Sequence, residues 1–222
     1  MFGVLNDVRL ADIFSALNAL FGFLGIYFVF YDLSYSAIFL FIAVIMDGVD
    51  GAISRIEGSI LGEDLDSLAD LISFGVLPAL MIIAISNGWM YFSISGLFLI
   101  TGMLRLARFN LLKVKDEFIG YPITAAALFV GSLIYLELPS YIVGSVAFIL
   151  SFFMICNLRY PKIRDKFLLT ITGVVIISSI FIKDSAFATA GLTLLYLFSP
   201  FPKEVGLWLE RRRERKLLSK LE

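Results

Sequence analysis

The chain of 222 residues contains no histidine and a single cysteine, Cys156, and only 17% of its residues are charged. Without histidine there is no imidazole acid/base chemistry, and with one thiol there is no intramolecular disulfide, structural zinc site, c-type haem or iron–sulfur cluster. Any chemistry rests on Asp, Glu, Ser, Tyr, Lys and backbone groups. Cys156 itself, in SFFMICNLRY, reads as a small packing residue. A net charge of −1 gives no reason to expect a nucleic-acid partner. The start, MFGVLNDVRLAD, lacks the basic opening and small-residue cleavage site of a secretory signal.

What the chain has in excess is apolar sequence: 59% hydrophobic residues, 22 Phe and a mean hydropathy of +0.92. A soluble domain is closer to half apolar and a quarter charged. The apolar residues come in runs near the roughly 20 residues that cross a bilayer, so the class is a polytopic membrane protein. Breaks at charge, Pro and Gly predict about eight spans: Phe14 to Phe30, Tyr35 to Asp50, Asp66 to Ile85, Met90 to Phe109, Pro122 to Leu136, Tyr141 to Ile155, Phe167 to Ile182 and Ala186 to Phe198. The shorter runs are expected to continue as helix into flanking polar sequence. Tight turns are expected at Asp32–Ser34, Asn87–Trp89, Glu137–Ser140 and Lys183–Ser185.

With this count both termini lie on one side, together with every Lys and Arg of the 18 except Lys183. The positive-inside rule then puts both ends and three polar loops in the cytoplasm. The expected architecture is an all-α bundle of one domain, 1–222, in the cytoplasmic membrane. The basic tail at 203–222 reads as a juxtamembrane helix, with an anionic-lipid site or an oligomer contact as the alternatives.

Carboxylates are costly near membrane depth, yet the segment from Met46 to Gly75 carries Asp47, Asp50, Glu57, Glu63, Asp64, Asp66 and Asp70 against one basic residue, Arg55. Asp47 and Asp50 are spaced i, i+3 at the end of the second span, and Asp66 and Asp70 i, i+4 at the start of the third. Each pair shares a helix face. Antiparallel neighbours bring the two faces together, so four carboxylates converge on one interfacial pocket. Oxygen ligands without His or Cys favour magnesium, manganese or calcium, and a binuclear site suits phosphoryl chemistry. Gly48, Gly51, Gly58 and Gly62 let a nucleotide or another helix approach the backbone, and the Arg55 fork can neutralise a diphosphate. The alternative is a solvated acidic loop, against which the paired helical spacing argues.

These residues resemble the signature of the CDP-alcohol phosphotransferases, D-x2-D-G-x2-A-R-x8-G-x3-D-x3-D. Here it reads Asp47, Asp50, Gly51, Ser54, Arg55, Gly62, Asp66, Asp70. Ser54 replaces the usual alanine, and the stretch between Arg55 and Gly62 is two residues shorter than the pattern. DIFSALNALFGFLGI from Asp12, LDSLADLISFGVLPA from Leu65, RLARFN from Arg105, GYPITAAA from Gly120 and NLRYPK from Asn157 resemble the phosphatidylserine synthase branch. The likeness covers roughly residues 10 to 166.

The resemblance implies transfer of the lipid-phosphoryl group of CDP-diacylglycerol or CDP-archaeol to the hydroxyl of L-serine, with release of CMP, at the cytoplasmic face. It implies two divalent metal ions, Mg²⁺ or Mn²⁺, on Asp47, Asp50, Asp66 and Asp70, with Asp70 also the general base. Gly51, Ser54, Arg55, Gly62 and Asp50 would line the CMP and diphosphate site. Asn18 would lie near the nucleotide, with plain helix packing as its alternative. Membrane lipids and a homodimer are the other partners it suggests. For the acceptor, a cation fork from Arg105 and Arg108 is expected, Arg108 favoured, with Asn110 supplying polarity; the alternative is that both arginines mark the cytoplasmic side. A synthase using glycerol 3-phosphate or an inositol compound is the second reading. A transporter with an acidic cation site is the reading from another class, and a catalytically silent scaffold a further one.

Overall fold

The computed structural model describes residues 8–57, 61–86, 88–112, 117–162 and 165–201. Gly58, Asn87, Lys113, Lys115, Arg164 and the tail at 203–222 lie outside the described residues. The elements in chain order are α1 (Leu10–Val29), α2 (Leu33–Glu57), α3 (Gly62–Asp70), a π-helical segment (Leu71–Val76), α4 (Leu77–Ala84), α5 (Trp89–Leu112), β1 (Glu117–Ile119), α6 (Ile123–Tyr135), α7 (Ser140–Ile155), β2 (Arg159–Pro161), α8 (Lys166–Phe181) and α9 (Ser185–Phe198).

Among the described residues, four helical rods are long and apolar enough to cross a membrane: 10–29, 33–56, 62–84 and 89–112. As expected, the second to fourth run past their apolar stretches into polar sequence. The expectation of such extension fails for α6 and α7, which have 13 and 16 residues. At 1.5 Å per residue they reach roughly 20–24 Å. Their ends have local causes: Gly120 adopts φ 80 just before α6, Pro139 caps the start of α7, and Arg108 closes its end. Large apolar side chains face outwards, among them Phe23, Phe92, Ile100, Phe152, Val174 and Leu195, a surface that water would not tolerate and lipid does. The chain is an all-α integral membrane protein with one departure, a short two-stranded antiparallel sheet in which Phe118 pairs with Tyr160 although α6 and α7 lie between the strands in sequence.

α6 is the central helix, with ten consecutive residues from Ala126 to Tyr135 buried. Its small residues admit neighbours closely; a Cβ on Gly131 would meet Leu40 Cδ2 at 2.2 Å. α1 and α2 form an antiparallel pair whose turn is closed by Asp32, the carboxylate of which accepts the Ser34 N–H at 2.7 Å. Gly25 lets Leu77 pack against α1, and Ser36 donates to the Gly25 carbonyl at 3.0 Å. The π-helical segment precedes Pro78, which has no N–H to give to the carbonyl four residues back, so the wider turn absorbs the break.

Candidate active site

Asp47 and Asp50 lie in the C-terminal half of α2, and Asp66 and Asp70 on α3, and the two acid-bearing faces meet. Carboxylate oxygens of Asp47, Asp66 and Asp70 all lie within 4.8 Å of one another. Asp50 stands beside this trio, within hydrogen-bond reach of the Asp66 carboxyl, and accepts a hydrogen bond from Ser15 Oγ at 2.6 Å. Asp50 and Asp70 are 5% and 6% exposed. Thr124, in the first turn of α6, hydrogen-bonds Asp47, and Asn18 Nδ2 donates to Asp70 Oδ1 at 3.2 Å. Asn18 thus sits on the last acid of the series. No sequence signal had assigned Ser15 or Thr124, although Asp12, Ser15 and Asn18 recur at i, i+3, i+6, a periodicity visible in the sequence.

Among the described residues, Arg105 is the basic residue that reaches this cluster. It is 6% exposed, its charge acts on Asp47, Asp66 and Asp70 alike, and its Nε is buried without a partner. Its guanidinium carbon lies 5.4 Å and 5.3 Å from the ring centroids of Phe109 and Phe118, aromatic faces that favour a cation. Lys162 Nζ lies 5.4 Å and 5.1 Å from the same two centroids. Four carboxylates against one buried guanidinium leave an excess of negative charge that such a site holds only with cations. The donor set, all oxygen, fits magnesium or manganese.

The structure does not bring Arg108 to the cluster. One of its terminal nitrogens donates to the Ile119 and Cys156 carbonyls, each at 2.9 Å, and the other to the Ile155 carbonyl and Asn157 Oδ1, each at 3.3 Å. It closes the C-terminus of α7 and ties it to β1, so of the two arginines it is Arg105 that faces the acids. Asn110 Nδ2 donates to Ser67 Oγ at 3.0 Å, joining α5 to the acid-bearing face of α3. Arg55 is exposed at the end of α2. Gly48 and Gly51 have nothing within 4 Å of a built Cβ, so among the described residues no helix packs there. Ser54 is half-buried and Gly62 opens α3.

The two-stranded sheet is held against α9 by tyrosines. Tyr121 donates to the Thr193 carbonyl at 2.7 Å and Tyr196 to the Pro161 carbonyl at 2.9 Å. Burial pushes the Tyr121 and Tyr160 phenols up from their ordinary value, which keeps both protonated. Burial likewise pushes the Cys156 thiol up, in keeping with a packing residue. A groove of ≈ 460 Å³ opens beside Asp47 and runs along α6, α8 and α9, lined by Leu128, Leu168, Ile176 and Leu192 among others. The last two helices, which carry no legible motif, therefore border the site.

Fold and site together define a polytopic helical membrane protein with an oxygen-donor pocket suited to hard cations. Residues 8–208 match the CDP-alcohol phosphatidyltransferase family, and the chain belongs to it; the match extends beyond residue 166 and past the end of α9 at Phe198. It is 33% identical over 177 residues to a CDP-diacylglycerol–serine O-phosphatidyltransferase of Methanocaldococcus jannaschii, covering 78% of this chain and 84% of that protein. It is 34% identical over 199 residues to the enzyme of the same name from Helicobacter pylori, with the same coverage. An archaetidylserine synthase of Methanothermobacter thermautotrophicus is 35% identical over 171 residues, 72% of each chain.

Proposed function

We propose that the chain transfers the phosphatidyl or archaetidyl group of a CDP-lipid to the hydroxyl of L-serine and releases CMP. The observation that carries this is the buried Arg105 beside the carboxylate cluster, in a chain whose relatives are named for serine transfer. A planar guanidinium with an unpartnered nitrogen suits an amino-acid carboxylate, while the acids nearby suit its ammonium.

Asp47, Asp50, Asp66 and Asp70 would hold two divalent ions, which when bound offset charge on the diphosphate and the leaving CMP. Arg105 draws the serine carboxylate and so orients the hydroxyl toward Asp70. Asp70 takes the hydroxyl proton, the serine oxygen bonds to the phosphorus bearing the lipid, and the bond from that phosphorus to the CMP oxygen breaks, its electron pair leaving with CMP. Gly51, Ser54, Arg55 and Gly62 line the nucleotide side, where open space at Gly51 leaves room for a ligand. The apolar groove beside Asp47 offers a path for hydrocarbon. The reading places the site at the cytoplasmic face of the cytoplasmic membrane, with eight spans, both ends inside and the basic tail against the lipid surface, in a homodimer.

The test is CMP release by purified protein in detergent with a CDP-lipid and Mn²⁺, comparing serine, glycerol 3-phosphate, inositol and no acceptor. Release with serine alone is expected. Turnover with another acceptor overturns the role given to Arg105, and no release with any acceptor overturns the transferase reading for this chain.

A further inference from the structure

The buried face of α1 is polar where a membrane helix is ordinarily apolar: Ala11, Asp12, Ser15, Asn18, Gly22 and Gly25. A hydroxyl and a carboxamide on such a face are costly unless partnered. Both are fully buried, and both donate to carboxylates of the acidic pocket, Ser15 to Asp50 Oδ2 at 2.6 Å and Asn18 to Asp70 Oδ1 at 3.2 Å. The helix is fixed in depth and rotation by its next turn. A Cβ on Gly22 would fall 2.1 Å from Ser73 Oγ, and Ser73 Oγ donates to the Asn18 carbonyl at 2.8 Å. α1 is thereby pinned to the π-helical segment that begins one residue after Asp70.

The two bonds act on different ends of the pocket. Asp47, Asp66 and Asp70 form the close trio, while Asp50 is turned toward Ser15 and still reaches Asp66. Asn18 Oδ1 is buried without a partner, which simple helix packing does not explain and a site that receives a ligand does.

We infer that Ser15 and Asn18 are positioning residues for the metal-holding carboxylates, Ser15 setting Asp50 and Asn18 setting Asp70. The inference rests on the metal reading proposed above. Hydrogen bonds of this kind fix the orientation of ligating carboxylates, and their loss typically lowers metal affinity about 10–100-fold.

The experiment is Mn²⁺ titration of the purified full chain in detergent, reading free Mn²⁺ by electron paramagnetic resonance, for wild type, Ser15→Ala, Ser15→Thr and Asn18→Leu. Thermal unfolding without metal is measured in parallel. Expected is a drop in affinity of about 10–100-fold in Ser15→Ala and Asn18→Leu, with unfolding unchanged and binding recovered in Ser15→Thr, which keeps the hydroxyl. Wild-type affinity in Ser15→Ala and Asn18→Leu overturns the positioning role while leaving the metal reading intact. Affinity and unfolding lost together, with Ser15→Thr no better than Ser15→Ala, also overturn it, since the residue then serves the fold. Absence of Mn²⁺ binding by the wild type overturns the metal reading itself.

Discussion

At the scale of single residues, the site separates groups by what they can still do. Arg108 has its donors engaged with carbonyls and the Asn157 side chain, whereas Arg105 keeps an unpartnered nitrogen beside the acids. Replacing Arg105 by Lys keeps the charge and removes the planar fork. Hydrogen bonds to charged groups contribute about 1.5–3 kcal/mol, so the KM for serine is expected to rise roughly 10–100-fold, with a smaller change in kcat, measured by initial rates of CMP release. Asp70→Asn keeps the shape and removes the base. Turnover is expected to fall by at least the roughly 10²–10⁴-fold that a positioned base supplies, while CDP-lipid binding, followed by equilibrium dialysis, persists more nearly intact.

At the scale of elements, the β1–β2 pairing is what places Phe118 against Arg105, and Arg108 and Gly120 hold it. Gly120 has φ 80, and a Cβ there would fall 2.1 Å from the Met154 carbonyl oxygen. Arg108→Ala leaves the end of α7 without its cap. The bonds lost are part-buried or exposed, each contributing about 0.5–1.5 kcal/mol, so the unfolding midpoint in detergent is expected to drop by a few degrees, and serine turnover to weaken with it as Phe118 loosens. Gly22→Ala tests the docking of α1. Overpacking costs about 1–3 kcal/mol, and the check is the same unfolding curve. The two acid pairs were legible because i, i+3 and i, i+4 spacing on a helix leaves no choice of face. Arg105 against Arg108 was not legible. At i, i+3 both sit on one side of α5, and the rotation that turns Arg105 inward is set by close contacts such as Gly102 with Ile123, which join residues far apart in sequence.

At the scale of the whole molecule, a cluster of buried and half-buried acids in an apolar bundle ties stability to cations. Chelation by EDTA is expected to abolish CMP release and Mn²⁺ to restore it. Added metal should raise the unfolding midpoint, since a ligand at a hundred times its Kd contributes about 2.7 kcal/mol to the folded state. A midpoint indifferent to Mn²⁺ would count against the cluster as a metal site.

Membrane class, the helical character of the chain and the acid pairs were determined by the sequence alone, because each follows from local composition and from the 3.6-residue period. The tertiary structure decided the rest. It turned Arg105 rather than Arg108 toward the acids, put Ser15 and Asn18 of α1 onto Asp50 and Asp70, paired β1 with β2 across α6 and α7, and brought α8 and α9, which carry no motif, to the edge of the site. Those outcomes depend on which faces of distant helices meet, and that is settled by close packing at residues such as Gly22, Gly102 and Gly131 rather than by any pattern along the chain.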